Sequence, residues 1–223
     1  MKWAYAGMIA AVVFLLVLVL IWDRYYLQFS LLIIVLAMAP FFVRFERKPV
    51  AAEEIVLIGM MAAIAAVSRV PFGGIPSVQP TSFVIIMAGL VFGAETGFMV
   101  GCAAALVSNM VMGQGPWTPW QMFGWGMMGC TAGLLNQWKW MQTRPGWIVF
   151  GGLWGFLFGW LMNLWAIFGF YREINLSVFI ASYLSSFSHD LTHALSNVFF
   201  LLVFGNSWMK ILRRIQRKYG LLK

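Results

Sequence analysis

The polar residues that could do chemistry are concentrated in one apolar segment near the end of the chain, residues 178–206. This segment contains a stripe of polar side chains at helical spacing: Ser182, Ser186, His189, His193 and Asn197. Asp190 borders the stripe. A polar face on a helix in lipid has to meet other helices or a water-filled cavity. The stripe therefore favours a pocket wall, with hydrogen bonds that only join helices as the alternative.

The two histidines also allow a metal-binding interpretation. His189 and His193 are four residues apart, with Asp190 between them, and this spacing can place two imidazoles on one metal ion. The zinc-protease signature needs a Glu beside its first His and a third ligand elsewhere. The chain contains no other His, so an intramembrane metal-dependent hydrolase is only an alternative hypothesis.

A second unusual stretch, Gly113–Met122, combines tryptophan, proline and amide residues. Pro119 suits the first turn of a helix and Thr118 suits its N-cap. Trp117, Trp120 and Gln121 then lie near the start of that helix. Tryptophans near the end of a membrane helix commonly anchor it at the membrane interface. Their coincidence with amide side chains also predicts a stacking surface for a flat ligand.

Small residues form a third pattern between Gly59 and Ala66. Gly59 pairs with Ala63, and Ala62 with Ala66, at a spacing of four residues. Such a face lets another helix approach closely. The approaching helix is either internal or part of a second polypeptide. For a second polypeptide, Ala62→Trp is expected to abolish activity that needs the partner while leaving ligand binding intact.

Composition places all these residues in a membrane protein. The 223-residue chain is 62% hydrophobic and 10% charged, with a mean hydropathy of +0.84, whereas soluble domains are about 25% charged. These values exclude a water-soluble globule, intrinsic disorder, collagen and a disulfide scaffold. The apolar runs are long rather than alternating, so we predict an all-α integral membrane protein in the lipid bilayer.

Eight apolar segments are candidates for membrane helices. They cover residues 4–22, 27–43, 51–70, 81–94, 97–113, 119–137, 147–170 and 178–206. The segment 81–94 is short for a bilayer, so we expect it to be tilted, partly buried or merged with a neighbour. A break near Gly93 separates it from the next segment.

The positive charges indicate the orientation. With a cytoplasmic N-terminus and alternating segments, twelve of the 15 Lys and Arg residues lie in the cytoplasm. Arg24, Arg69 and Arg172 fall on the outer side. Six cations and no acid lie between Met209 and Lys223, which is typical of a tail against anionic lipid. We therefore predict a multi-pass cell-membrane protein with both termini cytoplasmic and no nucleic-acid partner.

Three outer connections follow from this topology after the first hairpin. Residues 71–80 carry three prolines and two glycines, so they cannot form a helix. Residues 113–119 are also stiffened by proline, and the third connection lies near residues 171–177. Short, stiff connections suit the mouth of a pocket.

Residues from about 51 to 220 resemble the substrate-binding membrane subunits, called S components, of energy-coupling factor (ECF) vitamin transporters. The resemblance rests on the alanine-rich Ala62–Ala66, the loop Pro71–Pro80, the stretch Gly113–Met122, and Ser188–Asn197 followed by a basic tail. The Gly-Pro-Trp-Thr-Pro-Trp sequence is similar to the cobalamin-type members.

The resemblance implies a six-helix core with both ends cytoplasmic and a vitamin site near the outer surface, under the first core loop. It also implies docking on a transmembrane coupling subunit through small residues of the first core helix, and energy from two ATPase subunits. The expected organisation is an N-terminal hairpin over residues 1–48, the core over 49–207 and a basic cytoplasmic tail over 208–223. The hairpin is not part of the six-helix pattern.

The resulting hypothesis is a transport subunit that binds cobalamin or a related corrinoid or benzimidazole precursor, without catalytic residues, metal or cofactor. The residues expected around the ligand offer stacking and hydrogen bonds: Gln79, Trp117, Thr118, Trp120, Gln121, His189, Asp190 and His193. Those expected to face the coupling subunit are small: Gly59, Ala62, Ala63 and Ala66. The alternatives are an S component for another vitamin, the metal-dependent hydrolase, and a scaffold subunit without a small-molecule ligand.

Overall fold

The computed structural model describes residues 26–47 and 51–220. Within these ranges the chain is all-helical, with two short 3-10 turns, Val70–Phe72 and Trp140–Gln142. The seven α-helices are α1 (Tyr26–Arg47), α2 (Ala52–Arg69), α3 (Pro80–Phe92), α4 (Ala94–Met112), α5 (Thr118–Leu135), α6 (Arg144–Phe170) and α7 (Leu176–Tyr219).

These helices correspond to seven of the eight predicted segments, and the segment 4–22 lies outside the described residues. Four stretches are long and apolar enough to cross a membrane: Ala52–Phe72, Ala94–Met112, Arg144–Phe170 and Leu176–Tyr219. The all-α membrane fold is therefore confirmed.

The short helix α3 lies at the centre of the bundle. All thirteen of its residues are buried, and it contacts α2, α4, α5 and α7. At about 1.5 Å per residue it is about 20 Å long, shorter than the hydrocarbon core of a bilayer. Gly93, with a φ of 91°, separates it from α4. This confirms the break that the sequence predicts near Gly93. Of the alternatives for this segment, burial is the one that the structure shows.

Glycines bring α4 and α5 into direct backbone contact. A Cβ atom at Gly97 would overlap the Gly129 carbonyl, and one at Gly101 would overlap the Trp125 carbonyl. Only glycine leaves room for such an approach. The contact fixes the relative positions of α4 and α5, which carry much of the polar site described below.

Helices α6 and α7 form a tight antiparallel hairpin. Gly155 lies against the backbone of Ala194, and the Asn197 amide donates a hydrogen bond of 2.9 Å to the Gly151 carbonyl. Helix α7 continues to Tyr219 and ends at Gly220, which has a φ of 64°. Its basic residues between 210 and 218 therefore lie on the same helix as the polar stripe.

Helix α1, the second helix of the predicted hairpin, contacts α4, α5 and α6. Phe41 stacks on Phe98 with ring centroids 3.9 Å apart. Ile34 and Met38 are buried against the same cluster. Helix α1 thus covers the side of the bundle that α4, α5 and α6 form.

Candidate functional site

The candidate site lies at the end of the bundle where α2 and α4 finish and α3 and α5 begin. Arg69, the last residue of α2, reaches Ser108 and Asn109 near the end of α4. Trp117, before α5, contacts Trp165, which in turn contacts Phe170 at the end of α6. The three predicted outer connections therefore lie at one end of the molecule, as the alternating topology requires.

Arg69 points into the bundle. Its Nη1 donates hydrogen bonds of 2.9 Å to Ser108 Oγ and 2.8 Å to Asn109 Oδ1. Its Cζ lies 5.0 Å from the ring centre of Trp125, which is fully buried. A guanidinium over an indole ring is a favourable cation–π contact. The positive-inside rule treats Arg69 only as an outer cation, so its place in the site is not predicted by charge counting.

Asn109 connects this cation to the tryptophan-rich turn. Its Nδ2 donates hydrogen bonds of 3.0 Å to Thr118 Oγ1 and 2.8 Å to Gln121 Oε1. Thr118 in turn donates a bond of 2.9 Å to Gln114 Oε1. The structure thus brings the predicted site residues Thr118 and Gln121 together through Asn109. From the sequence alone, this asparagine could either line a pocket or join two helices.

Helix α7 reaches the same region through His193. His193 Nε2 lies 2.8 Å from Ser82 Oγ on α3, and Trp125 Nε1 donates a bond of 3.1 Å to the same oxygen. Phe158 stacks on Trp125, with centroids 4.9 Å apart, and meets His193 edge-on at 5.2 Å. Ser82 therefore joins α3, α5 and α7 through one hydroxyl group.

We define the polar cluster by the residues that carry these contacts: Arg69, Ser82, Asn109, Thr118, Gln121, Trp125 and His193. It combines a cation, amides, hydroxyls, an imidazole and one indole face. Such a set can hold a flat ring by stacking and fix its orientation by hydrogen bonds.

Gln79, a predicted ligand contact, lies just before α3. Its backbone N–H donates a bond of 3.1 Å to Ser196 Oγ on α7. Its side-chain Oε1 is buried without a hydrogen-bond partner. A buried, unpaired acceptor is costly, so this oxygen is available to a donor on a bound molecule.

The rings of the two predicted tryptophan contacts pack on residues outside the polar cluster. Trp120 is buried with Phe98, Ile34 and Met38, on the side of α5 that faces α1. Trp117 meets Trp165 edge-on, with centroids 5.7 Å apart. The aromatic ring that the structure places beside the polar groups is that of Trp125.

The polar stripe on α7 divides into two environments. Asp190 is 4% exposed. Its Oδ2 accepts a hydrogen bond of 3.0 Å from Ser186 Oγ. The same Ser186 oxygen accepts a hydrogen bond of 2.7 Å from Asn163 Nδ2. This second group joins α6 to α7. His189, next to Asp190 in the chain, is exposed.

The histidines do not form a shared metal site. His189 is exposed, whereas His193 is buried with its Nε2 on Ser82. Across residues 26–47 and 51–220, no group of three His, Cys, Asp or Glu side chains could hold a metal ion. The geometry therefore gives no support to the hydrolase hypothesis.

The small residues of α2 also divide into two faces. Gly59 and Ala63 are exposed, and a Cβ at Gly59 would have no neighbour within 4 Å. Ala62 and Ala66 are 3% and 2% exposed, because their side of α2 faces α3 and α4. Ala62→Trp would therefore disturb internal packing, so it is the wrong substitution for testing a partner surface.

Ser82→Ala is expected to lower the free energy of unfolding by about 1–3 kcal/mol, because Trp125 Nε1 and His193 lose a buried partner. Thermal unfolding of the purified protein in detergent measures this. Ser68→Ala is the control, since its hydroxyl bonds only to Ala65 O within α2. Equal unfolding midpoints for the two variants would contradict the role assigned to Ser82.

Comparison with known proteins identifies the class of this chain. The family model described as ECF-type riboflavin transporter, S component, matches residues 50–205. The chain therefore belongs to this family, which consists of transport subunits and not of enzymes. The match begins after α1 and includes every residue of the polar cluster.

The curated relatives are named only as UPF0397 proteins. Those of Vibrio atlanticus (strain LGP32) and Aliivibrio fischeri (strain MJ11) are each 30% identical over 88 residues, which is 37% of this chain and 48% of theirs. The chain thus spans about half the length of the curated relatives it matches. No solved structure matches this chain.

Proposed function

We propose that this chain is the substrate-binding subunit of an ATP-driven ECF importer and that the polar cluster binds a flat heteroaromatic vitamin. The observation that carries this proposal is the convergence of Arg69, Asn109, Gln121 and His193 around the buried face of Trp125. Four helices, α2, α4, α5 and α7, contribute these side chains. A binding site at a junction of four helices can change its shape and its affinity when the helices or loops move.

The ligand chemistry follows from the donors and acceptors of the cluster. Guanidinium and amide N–H groups suit ring carbonyl oxygens, whereas the free Gln79 Oε1 suits a ring N–H. Phe158 stacks on the Trp125 indole and the Arg69 guanidinium lies over it, so a planar ring would stack on this indole by taking the place of the guanidinium. An isoalloxazine ring offers all three features, which agrees with the riboflavin in the family's description.

Cobalamin is the competing ligand. A corrin is much larger than an isoalloxazine and would have to separate the direct bonds that Asn109 makes to Arg69, Thr118 and Gln121. The Trp117 and Trp120 rings, which motivate the cobalamin hypothesis, contact protein rings away from the cluster. The compact cluster favours the smaller, planar ligand.

The transport partners are proposed from the exposed face of α2. Gly59 and Ala63, one turn apart on this face, would let a helix of the transmembrane coupling subunit approach closely. Two ATPase subunits would bind that coupling subunit from the cytoplasm. In this arrangement the end with the polar cluster faces outward and both chain termini are cytoplasmic.

The decisive experiment is mass spectrometry of small molecules that co-purify with the detergent-solubilised chain, followed by titration with riboflavin and cobalamin. We expect a planar heteroaromatic compound, and riboflavin rather than cobalamin should quench tryptophan fluorescence. Gln121→Ala should weaken binding by about tenfold, the loss of about 1.4 kcal/mol. The control is Gln137→Ala, two residues beyond the opposite end of α5, where the side chain is exposed. Binding of cobalamin alone would reject this ligand class.

Metal removal gives an independent check on the hydrolase alternative. Treatment with EDTA is expected to leave ligand binding unchanged, because His189 and His193 do not converge. Metal analysis of the purified protein measures the zinc content directly. Stoichiometric zinc that disappears in His193→Ala would instead favour the enzyme.

A further inference from the structure

Arg69 brings a positive charge into the site, and within residues 26–47 and 51–220 no carboxylate is bonded to it. Both of its hydrogen bonds go to neutral oxygens, those of Ser108 and Asn109. These two bonds use N–H groups of Nη1 only, whereas a guanidinium carries five N–H donors. Among the described residues, the donors on Nη2 and Nε therefore have no recorded acceptor.

The acids on the neighbouring helices lie far from Arg69. Glu53 and Glu54 are in the first turn of α2, whereas Arg69 is its last residue. Glu95 is in the first turn of α4, and Arg69 meets the other end of that helix. At about 1.5 Å per residue these carboxylates are about 20 Å away.

Asp190 is the buried acid on α7, but it belongs to the group that joins α6 and α7. Its Oδ2 accepts from Ser186, and Gly159 of α6 lies directly against its carboxyl group. The α7 side chain that enters the polar cluster is His193, which bonds to Ser82. Asp190 therefore supplies no recorded contact to the Arg69 guanidinium.

Arg69 is half-buried, with its guanidinium over the fully buried Trp125 indole and beside the buried Ser108 and Asn109, so its charge has lost part of its hydration. Such a charge is expensive unless an opposite charge or strong acceptor compensates it. A planar guanidinium also binds carboxylate and phosphate oxygens in pairs. The empty donors of Arg69 thus match an anion.

We propose that the ligand carries an anionic group, a carboxylate or a phosphate, and that Arg69 binds it. This inference rests on the proposed function and narrows its substrate class. Riboflavin is uncharged at neutral pH, so the preferred ligand is an acidic heteroaromatic vitamin or vitamin derivative. The charge lies on the ring or on its side chain, and the Arg69 guanidinium leaves its position over the Trp125 indole to bind that charge.

The first test uses matched acid and neutral probes with the purified full-length chain. The pairs are nicotinate with nicotinamide, whose charge is on the ring, and flavin mononucleotide with riboflavin, whose charge is on the side chain. In at least one pair the acidic member should bind about tenfold more tightly. Arg69→Gln should remove this preference, and Arg69→Lys should retain part of it. Equal binding of both members in each pair, including no binding at all, overturns the proposal.

The main measurement of the second test, the unfolding midpoint, needs no ligand. Asn109→Asp replaces a partner of Arg69 with an isosteric carboxylate, which supplies the missing counter-charge inside the protein. The two bonds that Asn109 Nδ2 donates are replaced when the Gln121 amide turns its N–H groups, and Thr118 its hydroxyl, towards the new oxygen. Its unliganded unfolding midpoint should equal or exceed that of wild type, and its preference for acidic probes should vanish. Asn109→Ala is the control and should unfold at a lower temperature. A midpoint for Asn109→Asp as low as that of Asn109→Ala overturns the proposal.

The two proposals fail separately. If riboflavin binds and Arg69→Gln leaves its affinity unchanged, the charge inference fails and the vitamin-binding function stands. If the chain supports no vitamin uptake with any coupling subunit, the transport function fails. The midpoints of Asn109→Asp and Asn109→Ala would still decide whether Arg69 lacks a counter-charge.

Discussion

Ala63→Trp is expected to reduce vitamin uptake by at least about tenfold, which corresponds to about 1.4 kcal/mol or more of docking free energy, while leaving ligand affinity unchanged. Ala63 is exposed on α2, and it lies one turn from the exposed Gly59. An indole at this position would hold a partner helix away from the small-residue surface. The polar cluster should not change, because its α2 member, Arg69, is one and a half turns further along the helix.

The comparison of two neighbouring alanines makes this test specific. Ala62 is 3% exposed, so Ala62→Trp should lower stability and ligand binding together with uptake. Leu184→Trp is a control for the bulk of the ring, since Leu184 is 72% exposed on α7. Uptake in whole cells and binding to the purified subunit are measured for all three variants. Normal uptake by Ala63→Trp would show that the docking surface lies elsewhere on the protein.

The sequence predicts the helices well because long apolar runs and proline-rich connections are local features. The run of residues 51–70 and the loop 71–80 correspond closely to α2 and the connection to α3. The face that a residue occupies is harder to predict. Ala62 and Ala63 fit the same small-residue pattern, yet one is buried and the other exposed, because α3 and α4 cover only one side of α2.

Membership of the polar cluster can be predicted where polar residues are rare in an apolar segment and lie in a recognisable pattern. Thr118, Gln121 and His193 satisfy this condition, and the structure places all three in the polar cluster. Trp125 and Ser82 could not be assigned to the cluster in this way, because a tryptophan or a serine in an apolar helix has many structural roles. Their contribution depends on a shared hydrogen bond between residues 43 positions apart, which no local pattern contains.

Arg69 illustrates a different limit of sequence reasoning. Charge counting assigns an arginine at a helix end to the nearest aqueous side. The alternative, that it turns inward, depends on acceptors supplied by another helix, here Ser108 and Asn109 on α4. A useful signal is the combination of a cation ending an apolar helix and a lone asparagine near the end of a parallel helix. Both features are present in this sequence.

Gly101→Val is expected to lower the free energy of unfolding by about 3 kcal/mol or more, at the upper end of overpacking effects, and to abolish ligand binding. The three nearest atoms that a Cβ at this position would meet are backbone atoms of Trp125 and Gly126. A change of side-chain rotamer cannot relieve such an overlap, so α4 and α5 have to separate. Thermal unfolding and ligand titration in detergent measure the two effects.

Separation of α4 from α5 at Gly101 would displace residues of the polar cluster. Trp125 itself stacks under Arg69, and Asn109, two turns along α4 from Gly101, bonds to Gln121 on α5. Gly152→Ala on α6 is the matched control, since its Cβ would meet Val198 at an ordinary 3.5 Å and alanine favours a helix. The control should retain wild-type stability and binding. If Gly101→Val bound ligand normally, close contact between α4 and α5 would not be what aligns Trp125 with Arg69.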